Sequence, residues 1–413
     1  MDILTYLLVL LSLIIPFGVI ERIQIIPSAS IYLHDLAILP LFFFVFYKIV
    51  IKKQVKRPGI LKGLLAFVLV GFVSLVLNAF SLNFVDFFVS FSYLMRLLMY
   101  ASLIFVFDYM EQKKINILLK TLSLSLLFFV FFGFLQYLFS PSLKQFYVYG
   151  WDEHFYRLTS TYLDPNFTGI TILLSVILIF YSLSYSIENK KKLILKTTSL
   201  FLSLLAMFLT YSRSTAVSFI FSVPVFLMVA KRKNLFFLVL AIILVAGIIT
   251  PKNFNLVGLN PFRVVSSVER IKSIENAYKI FTTSPMYGVG FNSYRYAQRR
   301  IGLLDSQWEK THSGAGASNS FIFVLATTGI IGFVTFLYFL WGMFFYFYKQ
   351  SKIKSLRISS ATGIGSIMAV IVHSMFDNTF FYPFTMIILF FIVGVMGHEA
   401  PRAKARKTVL QAT

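Results

Sequence analysis

The residue with the sharpest chemical meaning in this sequence is Arg213, in the run TYSRSTAV. It stands between two apolar stretches with almost no loop to keep it in water. A guanidinium at membrane depth is costly, so such a residue is read first as part of a functional site. Snorkelling to lipid headgroups is the plainer explanation. The flanking Ser and Thr, in place of further basic residues, favour function. A second arginine, Arg157, lies in FYRLTSTYLDPNFTG, with Asp152, Glu153 and His154 just upstream. A solvated loop and a binding site fit it equally. Asp164, Pro165 and Asn166 spell a turn and a helix cap, which structure alone explains.

Downstream, Val264, Val268, Ile271, Ile274, Tyr278 and Phe281 recur at helical spacing, with Arg263, Glu269, Arg270, Lys272, Glu275 and Lys279 on the other arcs. A basic amphipathic helix of this kind is expected to lie in a membrane interface. It runs into SPMYGVGFNSY, where Gly288 and Gly290 permit a tight turn or close backbone approach to a ligand. Arg295, Arg299 and Arg300 follow. Guanidinium groups at this density suit an anion, most simply a phosphate or diphosphate gripped through paired N–H groups. His312, in EKTHSGAGASNSF, is a general base near neutral pH or a plain loop histidine. His373 and Asp377, in VHSMFDNTF, form a polar contact or an interface anchor. Arg96, in SYLMRLLMY, sits inside a helix, where it pairs with an acid or backbone carbonyls or lines a substrate path.

The elements that must position these groups are membrane helices. The 413 residues are 58% hydrophobic and only 13% charged, with mean hydropathy +0.80. That leaves too little polar surface for a water-soluble fold, which averages about 25% charged residues. Apolar windows long enough to span a bilayer occur near 3–20, 31–51, 60–80, 87–107, 115–139, 167–186, 193–210, 214–230, 234–250, 319–347, 357–375 and 380–397. The expected fold is all-α and polytopic, with about 12 transmembrane helices and a large external loop carrying the amphipathic helix. The first window lacks a basic leader and a cleavage site, so it reads as a retained helix.

Charge orients the helices. Of 38 Lys and Arg, 24 fall in alternate connections: Lys48–Lys62, Lys113–Lys120, Lys190–Lys196, Lys231–Lys233, Lys349–Arg357 and Arg402–Lys407. Positive connections stay in the cytoplasm. Both termini are therefore expected inside, and segments 140–166 and 251–318 outside. The chain divides into helices over 1–139, helices with an external loop over 140–250, an external loop domain over 251–318, C-terminal helices over 319–397 and a cytoplasmic tail over 398–413. The net charge of +22 is then mostly topology, and nucleic acid is not expected as a partner. The absence of cysteine removes disulfides, thiolate metal sites and a cysteine nucleophile. No HExxH, P-loop or GxSxG pattern occurs, so neither a catalytic metal nor a cofactor is expected.

Taken in order, RLTSTYLDPNFTG, YSRSTAV, VERIKSIENAYKIFTTSPMYGVGFNSY and SNSFIFVLATTGIIGF resemble the bacterial O-antigen ligase and O-antigen polymerase superfamily, which includes the Wzy-type polymerases. The resemblance spans about residues 150–340, and the first five helices add only hydrophobic character. It implies a metal-independent, GT-C-like glycosyltransferase in the bacterial cytoplasmic membrane, active on its outer face. The implied donor is an undecaprenyl-diphosphate-linked oligosaccharide, with membrane lipids and a chain-length regulator protein as partners. Arg213 takes the place of the family's SRG arginine and Arg270 that of its external-helix arginine, with His312 a candidate base. Arg157, Arg295, Gly288, Gly290 and Asn319 are implied substrate contacts. Where the family has His before Asn, this chain has Ser318, a poor base unless activated. Polymerisation of lipid-linked repeats is the leading reading. Ligation to a lipid A-core acceptor and lipid flipping or transport are the alternatives.

Overall fold

The computed structural model describes residues 2–26, 29–184, 190–237, 239, 264–304 and 316–398. Among these the chain is nearly all-α. Nine helical segments are long and apolar enough to cross a membrane, and two shorter apolar helices, Arg213–Val229 and Pro383–His398, join them. These eleven segments coincide with eleven of the twelve expected windows. Most of the twelfth, 234–250, lies outside the described residues.

The helices are α1 (Ile3–Ile14, continuing as a 3-10 turn to Glu21), α2 (Leu33–Phe46), α3 (Pro58–Leu77), α4 (Phe84–Ala101, prolonged by short turns to Tyr109), α5 (Gln112–Phe139), α6 (Pro165–Leu183), α7 (Lys190–Leu209) and α8 (Arg213–Val229). Then come α9 (Val264–Thr283), α10 (Tyr294–Arg300), α11 (Ser320–Ser351), α12 (Arg357–His373) and α13 (Pro383–His398). Their starts follow local chemistry. Asp2, Asn83, Asp164, Ser212 and Asn319 cap α1, α4, α6, α8 and α11 by accepting backbone N–H bonds. Proline, which has no N–H to leave unsatisfied, opens α3, α6 and α13.

Packing sorts these helices by burial. α12 runs along α8, α11 and α6, α11 along α3, and α1 along α5 and α2. α13 is buried on all sides from Phe384 to His398, as expected of a helix apolar all round. The departure from an all-α chain is an antiparallel pair, β1 (Arg22–Ile26) with β2 (Ala29–Tyr32), between α1 and α2. A strand of four or five residues gives too short a pattern to be read in sequence.

α11 is broken at Gly329 (φ 67°). A helix break in a membrane protein must have its freed polar groups satisfied again, and here the turn 284–290 does so. The Val289 and Gly290 N–H groups donate to the Ala326 and Thr327 carbonyls at 3.2 and 3.0 Å, and the Ile330 N–H donates to the Pro285 carbonyl at 2.9 Å. The approach is backbone to backbone. A Cβ on Gly288, itself at φ +71°, would land on the main chain of Thr327 and Thr328. Gly288→Ala is therefore expected to cost about 3 kcal/mol or more, from strained φ and lost packing. Thermal unfolding in detergent measures it, and an unchanged transition would show that this contact is dispensable.

The amphipathic helix α9 is present, with a different face turned inward. Ala277 and Ile280 are buried, whereas Val268, Ile271, Ile274 and Tyr278 are exposed. The wide apolar stripe thus faces away from the bundle.

Candidate active site

One end of the bundle holds a cavity of about 440 Å³. Strands β1 and β2, the middle of α4, the loop 150–154, the N-termini of α6 and α13, the segment 291–296, residues 316–318 and the turn after α12 all contribute to it. These belong to the end with few basic connections. Lys114 pairs with Asp2 at the other end, where Arg57 is buried.

Three arginines, Arg22, Arg96 and Arg295, line the cavity. The Arg22 Nε donates to the Ser30 hydroxyl at 2.8 Å. Arg96 is held more firmly. Its guanidinium donates to both Asp35 carboxylate oxygens at 2.8 and 3.2 Å and to the Ser30 carbonyl at 2.7 Å. It also lies over the Tyr93 and Tyr32 rings at 5.0 and 5.4 Å, a favourable cation–π arrangement. Behind Asp35 runs a buried chain of polar groups. The Tyr100 hydroxyl donates to Asp35 at 2.5 Å, His34 Nε2 meets that hydroxyl at 2.7 Å, and His34 Nδ1 meets Glu21 at 2.6 Å. Arg96 thus pairs with an acid and a backbone carbonyl, as the sequence allowed, and it also lines the cavity.

Asp164 and Asp377 make another part of the wall acidic. Asp164 accepts the Asn166 and Phe167 N–H groups at 2.7 and 3.1 Å. Asp377, in the turn after α12, takes the Arg270 guanidinium on its two oxygens at 3.4 and 3.3 Å. The Ser214 hydroxyl also bonds to Asp377. Burial pushes the Asp377 carboxyl up to about 7 against the opposing pull of Arg270, and nearby Asp164 adds to the rise. Burial raises Asp164 as well, partly offset by its two backbone bonds.

The YSRST step closes this wall from behind. The Ser212 hydroxyl donates to the Asn166 side-chain carbonyl at 2.9 Å, and Thr215 Oγ1 lies 3.3 Å from His373 Nε2. His373 Nδ1 in turn meets Thr379 Oγ1 at 2.6 Å. Segments 164–166, 212–215 and 373–379, with Arg270, therefore form one polar cluster although they are far apart in the chain.

The candidates from sequence land in different places. Arg295 lines the cavity. Arg270 stands behind the lining carboxylate of Asp377. Arg213, half-buried, opens α8 between Ser212 and Ser214, which both belong to the polar cluster. Neither Arg213 nor Arg270 is itself on the lining. Arg157 is buried and donates to the Thr210 and Tyr211 carbonyls at 2.9 and 3.3 Å, so it braces the chain entering α8. Gly288 and Gly290 dock on α11 and stay off the lining. Asn319 accepts the Phe321 and Ile322 N–H groups at 2.8 and 3.1 Å and donates to the Met375 carbonyl at 2.9 Å. Its neighbour Ser318 lines the cavity. His312 lies outside the described residues.

Sequence reasoning overlooked Arg22, Tyr32 and Tyr93 and gave Asp377 no definite role. One signal was present: Glu21, Arg22, His34 and Asp35 crowd a short connection in an otherwise apolar region. Among the described residues, no group of three or more His, Asp and Glu is placed to hold a metal ion.

Residues 198–337 match the family model described as O-antigen ligase. The matched stretch begins in α7, ends in α11 and includes Arg213, Arg270, Arg295 and Asn319. No curated protein matches the chain.

Proposed function

We propose that the chain is a membrane glycosyltransferase of the O-antigen ligase and polymerase superfamily, a reading supported by the match over residues 198–337, and that it is a polymerase of surface polysaccharide. In this reading it transfers a growing glycan from undecaprenyl diphosphate to the hydroxyl of a second lipid-linked repeat unit. The observation that carries it is the convergence of Arg22, Arg96 and Arg295 on one cavity. The N-termini of α6, α11 and α13 border the same space through Asp164, Ser318 and Pro383, and helix N-termini favour anions.

The chemistry follows from that electrostatics. A diphosphate leaves already activated, and the main demand is to stabilise the charge that builds as its bond to the sugar breaks. Each preorganised donor facing that charge is worth on the order of 3 kcal/mol. Arg22, Arg96 and Arg295 take that role at the cavity. Arg270 and Arg213, behind the acidic wall, add positive potential. The exposed apolar stripe of α9 suits a membrane interface, where a polyprenyl tail enters from the lipid while its headgroup reaches the cavity. By the charge rule this is the outer face of the cytoplasmic membrane, with both termini inside.

Reconstitution tests the reading. Purified protein in lipid nanodiscs, given polyprenyl-diphosphate-linked repeat units alone, is expected to extend them into longer lipid-linked glycans. Extension that requires added lipid A-core would make it a ligase instead. Arg213→Ala and Arg270→Ala are each expected to slow extension about ten-fold, less than loss of a donor in direct contact. Unchanged product length and rate in both variants, at equal protein levels, removes these two arginines from the mechanism.

A further inference from the structure

We infer that Asp377 is the general base of this site, taking the proton from the acceptor hydroxyl as its oxygen attacks the anomeric carbon. The inference rests on the glycosyl-transfer reading above. The bond from the acceptor oxygen to the anomeric carbon forms, and the bond from that carbon to the phosphate oxygen breaks. Its electron pair leaves on the diphosphate, and the acceptor proton moves to a carboxylate oxygen of Asp377, which later releases it to water.

The geometry points to this carboxylate among the titratable groups on the lining, which also include Asp152, His154 and Asp164. Asp377 lies on the cavity wall, in the turn between α12 and α13, and is fixed from behind by Arg270 at 3.3 Å and by the Ser214 hydroxyl. The other candidates are less well placed. Asp164 is held by two backbone N–H groups as the cap of α6, whereas the partners of Asp377 are side chains, and Asp152 is exposed in its loop. His373 is fully buried with both ring nitrogens engaged by Thr215 and Thr379. Ser318 offers a hydroxyl that is itself a weak base.

Its surroundings also suit the task. The charged and titratable groups facing Asp377 are Arg270 from α9, Asp164 from the cap of α6 and His373 from the end of α12, whose Nδ1 is 4.0 Å away. Burial, with the Asp164 charge adding to it, brings the carboxyl up to about 7 against the pull of Arg270, and a base works best when its pKa lies near the working pH. Only the ionised carboxylate accepts a proton, so turnover rises with pH through about 7 and falls on the acid side.

The test uses the full-length protein in nanodiscs with a polyprenyl-diphosphate-linked repeat unit, reading kcat, KM and the pH profile. Asp377→Asn is expected to lower kcat about 100-fold or more, with KM within about two-fold and the acid limb lost. Asp377→Glu is expected to recover part of kcat and keep an acid limb. Arg270→Met, which removes the charge that favours the ionised carboxylate, moves that limb to higher pH. A carboxylate that merely positions Arg270 would raise KM in Asp377→Asn and leave the limb in place, and that result overturns the assignment. So does a limb that vanishes in His312→Gln and survives in Asp377→Asn. If Asp377→Asn does not fold, the limb shift in Arg270→Met and the rescue by Asp377→Glu decide the matter. No turnover by the wild type, with or without added lipid A-core, overturns the glycosyl-transfer reading and the base together; a kcat in Asp377→Asn equal to that of the wild type overturns the base alone.

Discussion

Arg96→Ala is expected to lower kcat/KM for extension of a lipid-linked glycan by about 100-fold or more, the usual loss for one preorganised donor at a developing negative charge. Arg96→Lys is expected to fare little better. The Arg96 fork meets both Asp35 oxygens and the Ser30 carbonyl while its plane rests on two tyrosine rings. An ammonium carries the same charge without that bidentate, stacked geometry. The measurement is steady-state turnover in nanodiscs, with thermal unfolding alongside, since Ala leaves Asp35 without its cation. Wild-type turnover in Arg96→Lys would show that charge alone matters and that the buried chain from Glu21 to Asp35 has no part in orienting the donor.

The largest effect on stability is expected at the other end of the molecule. Arg57 is 2% exposed. It pairs with Asp108 at 2.7 Å and donates to the Ile104, Val393 and Gly394 carbonyls at 2.9, 3.2 and 2.9 Å. It also lies over the Tyr346 ring at 5.4 Å. One side chain thus ties the prolongation of α4 to α13 and α11. Arg57→Met leaves Asp108 buried without its cation, and breaking such a pair on one side costs about 3–5 kcal/mol. The double variant Arg57→Met with Asp108→Leu is expected to recover part of that loss, because it buries no lone charge. Unfolding of the two single variants and the double variant in detergent measures the coupling. Losses that simply add would mean that the two groups are independent.

The sequence by itself determined the spanning elements and which connections share a side. Bilayer thickness demands long apolar windows, and Lys and Arg mark alternate connections. Several candidate segments were also legible, because Arg213, Arg270 and Arg295 stand where the topology read from the sequence does not ask for positive charge. Asp164 could be read because capping is decided within three residues, whereas Asn319, expected as a substrate contact, caps α11.

Only the tertiary structure decided which cations share a cavity. Arg96 finds Asp35 across 61 positions, and Arg270 finds Asp377 across 107. No local period encodes such pairings; they follow from which helix faces pack together. That is why Arg22, which the sequence did not single out, lines the cavity beside Arg96, while Arg157 donates to the Thr210 and Tyr211 carbonyls. The same holds for Gly288 and Gly290. Their freedom at positive φ was visible in the residue type, but that they serve a break in α11 was fixed by the three-dimensional need to satisfy its backbone.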